Sequence, residues 1–325
     1  MMETVLQVKD LSVTYRNKNR SVQAVRNVSF ALQEGDSLGI VGESGSGKST
    51  LAMAILRLLP ERSAEVSGEC WFCGRELLGL EPHLLRELRW KELAVVFQKA
   101  MNALSPVHRI STQIEDIYRE HEPKASRQEI RERAMELFRM VGLPERVYRL
   151  YPHEMSGGML QRVSIAISLL HSPKLLIFDE ATTALDVVTQ GQILEEVLRL
   201  ESVMHMSRIM ITHDMSVVAA ACSRTAVMYA GHMLEIGDTA QVLKRPMHPY
   251  TQGLLRSFPT LHGQRRELES IPGTLPDLSA QQPGCVFAPR CPCAGGRCHS
   301  QPPPVVRTED GRTVACWQYG GGAHE

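Results

Sequence analysis

The segment Gly42-Glu43-Ser44-Gly45-Ser46-Gly47-Lys48-Ser49 constrains this chain more than any other. It fits G-x-x-x-x-G-K-[ST], a spacing that an average composition yields by chance in about one in a hundred chains of this length. Its context matches as well. Ser37–Val41 reads as a short apolar strand, and Lys48–Leu59 reads as a helix stopped by Pro60. Strand, glycine loop and helix in that order form a phosphate cradle. The glycines let successive backbone N–H groups face one concavity, and the helix N-terminus adds positive potential. Lys48 is placed to reach β- and γ-phosphates, and Ser49 to bind Mg²⁺. The chain is therefore expected to bind a nucleotide within an α/β fold.

Other elements are consistent with that frame. Residues 4–15 and 22–32 alternate as half-buried strands, and Leu93–Phe97 and Arg208–Ile211 read as buried ones. Helical patterns cover about 110–150, with Ser126 and Glu129 spaced as a capping box, and also 159–170, 191–201 and 215–222. Val227–Gly237 reads as a hairpin around Gly231, and Cys70 and Cys73 as strand residues. Leu175-Leu176-Ile177-Phe178 reads as a buried strand ending on Asp179-Glu180, at the end where open α/β sheets bind ligands. Met155-Ser156-Gly157-Gly158-Met159 reads as a second anion-binding helix start, with Ser156 as N-cap. Two such sites in one chain suggest that the second serves a nucleotide held by another chain.

Composition excludes some classes. Lys+Arg total 36 and Asp+Glu total 36, and aromatics are 5%. Binding to bare nucleic acid needs a basic excess or stacking platforms, so no nucleic acid partner is expected. The longest apolar runs, such as Val163–Leu170 and Val217–Cys222, fall short of the roughly 20 residues of a membrane span. The first ten residues include Glu3, Lys9 and Asp10 and do not read as a signal peptide.

Over about residues 4–255 the sequence resembles the ATPase subunits of ABC transporters. Besides the phosphate loop, the 155–159 signature and the strand before Asp179-Glu180, it has Gln98 after Val95-Val96-Phe97, as in the Q-loop. It also has Ala184-Leu185-Asp186, as in the D-loop, and His213 in Ile211-Thr212-His213-Asp214, as the switch histidine. Two positions depart from the pattern: Met159 where the general signature has Gln, and Ala181 where Pro is usual; neither removes a catalytic group.

The resemblance implies a P-loop ABC ATPase with a RecA-like core, an antiparallel β subdomain and a helical subdomain at about 105–165. It implies ATP and Mg²⁺ bound by Gly42, Ser44, Gly45, Gly47, Lys48, Ser49 and Thr50, with Tyr15 stacking on adenine. Asp179, Ser49 and Gln98 would hold Mg²⁺, Glu180 would be the general base, and His213 would contact the γ-phosphate. Ser156, Gly157, Gly158, Met159 and Asp186 would act on the nucleotide of a partner ATPase.

The chain beyond residue 255 has a different texture. Five of the 8 cysteines fall between 285 and 316, among many Pro and Gly residues. Such a segment cannot build a core of its own and needs a staple. His248-Pro249-Tyr250-Thr251-Gln252-Gly253-Leu254-Leu255, Ile271-Pro272-Gly273, Gly284-Cys285 to Cys291-Pro292, Cys298 and Cys316-Trp317 resemble the C-terminal extension of the dipeptide/oligopeptide importer ATPases. That resemblance divides the chain into a nucleotide-binding domain, 1–255, and a small irregular Cys-rich extension, 256–325. It implies a [4Fe–4S] cluster on Cys285, Cys291, Cys298 and Cys316, with Cys293 a bystander. By ligand count alone, Zn²⁺ fits four thiolates equally. The expected work of the site is structural, with a redox sensor as the competing reading.

The resemblance thus implies, as the leading function, an ATP-hydrolysing subunit that powers import of dipeptides or oligopeptides through separate permease subunits, bound peripherally at the cytoplasmic face of a prokaryotic inner membrane. Its expected partners are a second, homologous ATPase chain, two transmembrane permease subunits and an extracytoplasmic substrate-binding protein. Competing readings are a nickel or metallophore importer and a non-transport ABC ATPase. The latter is disfavoured by a single ATPase unit, the neutral charge and the lack of a heptad run.

Overall fold

The computed structural model describes residues 3–17, 20–98, 103–181, 186–204, 206–257, 270–280 and 282–320. The strands run in chain order as β1 (Thr4–Asn17), β2 (Arg20–Gln33), β3 (Ser37–Val41), β4 (Ala64–Phe72), β5 (Arg75–Glu76) and β6 (Leu93–Phe97). There follow β7 (Leu175–Asp179), β8 (Ser207–Thr212), β9 (Arg224–Tyr229), β10 (His232–Asp238), β11 (Val305–Arg307) and β12 (Thr313–Ala315). Two compact units emerge: Met1–Val5, Leu32–Asp36 and Cys73–Ile211, and Leu6–Ala31, Ser37–Phe72 and Thr212–Glu325.

In the Leu6–Ala31, Ser37–Phe72 and Thr212–Glu325 unit, β3 is buried along all five residues, as a strand covered on both faces must be. It runs parallel to β9, with Ile40 opposite Ala226. β10 returns antiparallel beside β9. The hairpin turns at Ala230 and Gly231, both at positive φ, as a tight two-residue turn requires. β12 pairs with β10 through Glu235↔Val314, and β11 pairs with β12. The extension is therefore not irregular throughout. Its last strands extend a sheet that would otherwise end on β10 with unpaired N–H and C=O groups. A second, antiparallel sheet has the order β2-β1-β4.

The helix after the phosphate loop is Lys48–Ile55, shorter than the run to Leu59 read from sequence. Arg57, at φ +50, ends it. Leu58 N–H donates to Met53 O and Arg57 N–H to Ala54 O, the paired bonds of a Schellman stop, so Pro60 is not what terminates the helix. Cys70 lies in β4 as expected. Cys73 does not lie in a strand; it sits in a turn at φ +46.

In the Cys73–Ile211 unit, β6, β7 and β8 are parallel neighbours in the order β8-β7-β6. The 110–150 pattern divides into helices Ile110–His121 and Arg127–Met140 and a 3-10 turn at Glu145–Arg149. The Ser126 capping box forms: Glu129 N–H donates to Ser126 Oγ at 3.2 Å, and Ser126 N–H to Glu129 Oε2 at 2.7 Å. Helix Gly157–Ser168 packs on β6, with Ser168 Oγ donating to Val95 O at 3.0 Å. Arg133 caps the end of that helix through Leu169 O and Leu170 O, both at 3.1 Å. The helix read at 191–201 runs over Val187–Met204. Its earlier start follows from a cap at Asp186, whose Oδ1 accepts from Thr189 N–H at 3.0 Å.

Candidate functional site

The phosphate loop is built by close backbone approaches that only glycine permits. A Cβ on Gly42 would lie 2.0 Å from Met228 O. Gly47 sits at φ +99, and a Cβ there would lie 2.2 Å from Ala24 O. The loop closes on itself through Ser46 N–H donating to Glu43 O at 3.1 Å. The β9–β10 hairpin supports it from outside, with Gly231 N–H donating to Ser46 O at 2.9 Å. Lys48 is buried, 4% exposed. Its Nζ donates to Gly42 O at 2.8 Å, Glu43 O at 2.9 Å and Ser46 Oγ at 3.3 Å. Ser44, Gly45 and Ser49 are exposed, and Gly47 and Thr50 half-buried. Tyr15 is half-buried on β1, and its hydroxyl lies 3.4 Å from Thr50 Oγ1.

The acidic pair occupies the end of β7. Parallel register sets Phe97 opposite Asp179, so Gln98 and Glu180 leave adjacent strands side by side. Gln98 Nε2 donates to Glu180 Oε2 at 2.9 Å. Asp179 is 6% exposed. Glu180 sits at φ +49, and its N–H donates to Ile211 O at 2.9 Å. A left-handed backbone in a residue with a Cβ costs on the order of 1–3 kcal/mol and marks functional sites more often than chance.

His213 is exposed just past β8. Beside it, Asp214 Oδ1 accepts from Ser216 N–H at 2.8 Å and caps helix Met215–Ala221. Ser156 is the N-cap of helix Gly157–Ser168, accepting from Met159 N–H at 3.3 Å. Ser156 and Gly157 are exposed, and Gly158 and Met159 half-buried. Asp186 is exposed, and its bonds from Thr189 lower its pKa. The D-loop residues Ala184 and Leu185 lie outside the described residues.

Cys285, Cys291, Cys298 and Cys316 line one cavity of about 110 Å³, and Cys293, His248 and Trp317 share its wall. The four are half-buried free thiols. Cys285 N–H donates to Cys298 O at 2.7 Å, drawing two of these segments together. Burial raises the Cys285 and Cys316 thiols and pushes Cys291 up to about 11. Among the described residues, no three His, Cys, Asp or Glu side chains converge on a single-ion site.

Two residues with no role readable from sequence touch the phosphate loop. Arg290 Nη1 donates to Glu43 Oε2 at 2.9 Å, and Glu43 N–H donates to Tyr250 Oη at 3.0 Å. Both lie in stretches shared with the importer extension, but nothing local signals a partner some 200 residues away.

The family profile described as ABC transporter matches residues 25–183. A second, described as oligopeptide/dipeptide transporter, C-terminal region, matches residues 234–298. A probable peptide ABC transporter ATP-binding protein of Sinorhizobium fredii is 44% identical over 97% of this chain and 95% of its own length. The chain belongs to the ABC ATP-binding proteins of the oligopeptide/dipeptide importer family.

Other members of this importer family agree. The oligopeptide transport ATP-binding protein OppD of Bacillus subtilis is 44% identical over 96% of this chain and 88% of its own. The dipeptide transport ATP-binding protein DppD of the same organism is 43% identical over 97% and 95%. Among solved structures, the dimeric ATP-binding cassette MJ0796 bound to ADP and Pi covers 72% of this chain and 98% of its own. It matches with a TM-score of 0.65 and 28% identity. The fold is the α/β cassette of ABC ATPases. This importer subunit is an ATPase of a peptide import system and works with a partner ATPase and permease subunits. Among its described residues, no helix is long and apolar enough to cross a membrane.

Proposed function

We propose that Glu180 is the general base of ATP hydrolysis in this subunit and that the cycle powers dipeptide or oligopeptide uptake. The Gln98–Glu180 pair carries this reading, because it fixes a carboxylate at the end of β7 in one orientation. A carboxylate so held can take a proton from a water in line with the γ-phosphate. Lys48 reaches the β- and γ-phosphates, and the N–H groups around Gly42, Ser44, Gly45, Gly47 and Thr50 cradle them. Ser49, Asp179 and Gln98 would hold Mg²⁺, which neutralises charge between the phosphates. Tyr15 stacks on adenine, worth ~1–3 kcal/mol by analogy with base–aromatic pairs, and His213 contacts the γ-phosphate. Ser156, Gly157, Gly158, Met159 and Asp186 act on the nucleotide of the partner.

On this reading residues 1–255 form the nucleotide-binding domain, with a helical subdomain at about 105–165, and 256–325 the extension. The partner ATPase is a homologous different chain, a substrate-binding protein delivers cargo, and the subunit sits at the cytoplasmic face of the membrane. Reconstituted with its permeases and binding protein, the subunit is expected to turn over ATP several-fold faster when peptide-loaded binding protein is added. Stimulation by nickel or a metallophore and none by peptide would replace the cargo assignment.

We further propose that Cys285, Cys291, Cys298 and Cys316 hold a [4Fe–4S] cluster; four thiolates match Zn²⁺ by ligand count, although the described side chains do not already converge on one ion. All four thiols line one cavity, which supports a shared centre. Burial holds the Cys285, Cys291 and Cys316 thiols above the usual range, so a bound cation would favour their ionised form. Such a centre would order the Pro-rich extension. Anaerobically purified full chain is expected to carry about four iron and four sulfide per chain, lost in Cys291→Ser. One zinc per chain without sulfide would assign the site to Zn²⁺, and oxygen-dependent ATPase in the assembled transporter would favour a sensor.

A further inference from the structure

Arg290 is a buried cation in the Cys-rich extension, its side chain 6% exposed. It binds four places in the chain. Nη1 donates to Glu43 Oε2 at 2.9 Å and to Tyr229 Oη at 3.2 Å. Nε donates to Pro272 O at 2.7 Å, and Nη2 to Ile271 O at 3.2 Å. Such a fork is rigid once filled, because the planar guanidinium fixes the angle between its partners.

Glu43 is the first variable residue of the phosphate loop, and its main chain is held as well. The peptide between Gly42 and Glu43 is pinned at both ends. Its C=O accepts from Lys48 Nζ at 2.8 Å, and its N–H donates to Tyr250 Oη at 3.0 Å. Tyr250 is fully buried, and burial raises its pKa, so the hydroxyl is neutral. Its ring lies 4.6 Å from that of Tyr229 and 5.3 Å from that of Phe287. Phe287 stands between Cys285 and Cys291 in the chain, and Cys291 follows Arg290 directly. The whole cluster lies within one compact unit.

A phosphate loop works only if its N–H groups stay turned into one concavity. A peptide plane free to rotate between 42 and 43 would swing the Gly42 carbonyl, and with it Lys48. We infer that Arg290 and Tyr250 are positioning residues for ATP, acting through Glu43 to hold the phosphate loop in its binding geometry. The Cys-rich extension is thereby part of the nucleotide site rather than an appendage to it. This rests on the reading of residues 42–49 as the ATP phosphate loop.

The test uses the full chain assembled with its transporter partners. Tyr250→Phe removes only the hydroxyl and keeps the ring contacts. It is expected to raise KM for ATP about 5- to 30-fold, the effect of orphaning one buried N–H, with kcat at saturating ATP within about twofold. Arg290→Met and Glu43→Gln should each weaken ATP binding, and the double variant should be no weaker than the worse single one. A wild-type KM in Tyr250→Phe would overturn the inference, even with a lower unfolding temperature. So would effects of Arg290→Met and Glu43→Gln that multiply. Lys48→Ala serves as the control: if it keeps full ATP affinity, the reading of the loop fails rather than its positioning by the extension.

Discussion

Glu180→Gln is expected to bind ATP at close to the normal affinity while hydrolysis falls by about 10²- to 10⁴-fold, the usual contribution of a positioned general base. The substitution is nearly isosteric. A glutamine oxygen can still accept from Gln98 Nε2, and the N–H to Ile211 O does not depend on the side chain. The left-handed backbone of residue 180 is equally strained with either residue, so the fold should persist. What is lost is the ability to take a proton. Without hydrolysis, ATP should hold the subunit and its partner ATPase closed, visible as an ATP-dependent dimer by size-exclusion chromatography. Normal phosphate release from the variant would remove Glu180 from the base role.

Lys48→Ala should do the reverse, losing ATP binding before chemistry is reached. Lys48 lies buried at the start of its helix, where three acceptors fix its ammonium. A buried ammonium facing the anionic β- and γ-phosphates makes charge-assisted bonds, each about twice as strong as a neutral one. Affinity for ATP should fall at least about 100-fold, corresponding to roughly 3 kcal/mol. Stability should suffer as well. Glu43 O keeps the Ser46 N–H as donor, but Gly42 O loses its lysine, at a cost of about 1–3 kcal/mol. Titration with a fluorescent ATP analogue reads the first effect and thermal unfolding without nucleotide the second. An affinity within threefold of the unaltered protein would contradict the assignment of Lys48.

Where local chemistry decides, the chain was readable in advance. The strand, glycine loop and helix around residues 42–49, the Ser126 capping box, the Ser156 cap and the hairpin at Gly231 each depend on residues within a few positions of one another. Errors arose where a local signal competed with another. Pro60 looked like a helix stop, but the left-handed Arg57 ends the helix first. Gly191 has the look of a helix start, but Asp186 caps the helix earlier, at the N–H of Thr189. Cys73 looked like part of a strand but occupies the turn after β4.

The residue types for phosphate binding, the order of the motifs and the family itself are written in the linear chain. They depend on spacing, backbone sterics and hydrogen bonds that close within one turn. Two sets of contacts at the candidate site are not local. The Gln98–Glu180 bond exists because β6 and β7 pair in one parallel register. The Arg290–Glu43 and Tyr250–Glu43 contacts exist because β9 and the extension bring distant segments to the phosphate loop. No spacing encodes such contacts, since the entropy of closing so long a loop is recovered only when the whole surrounding core forms at once.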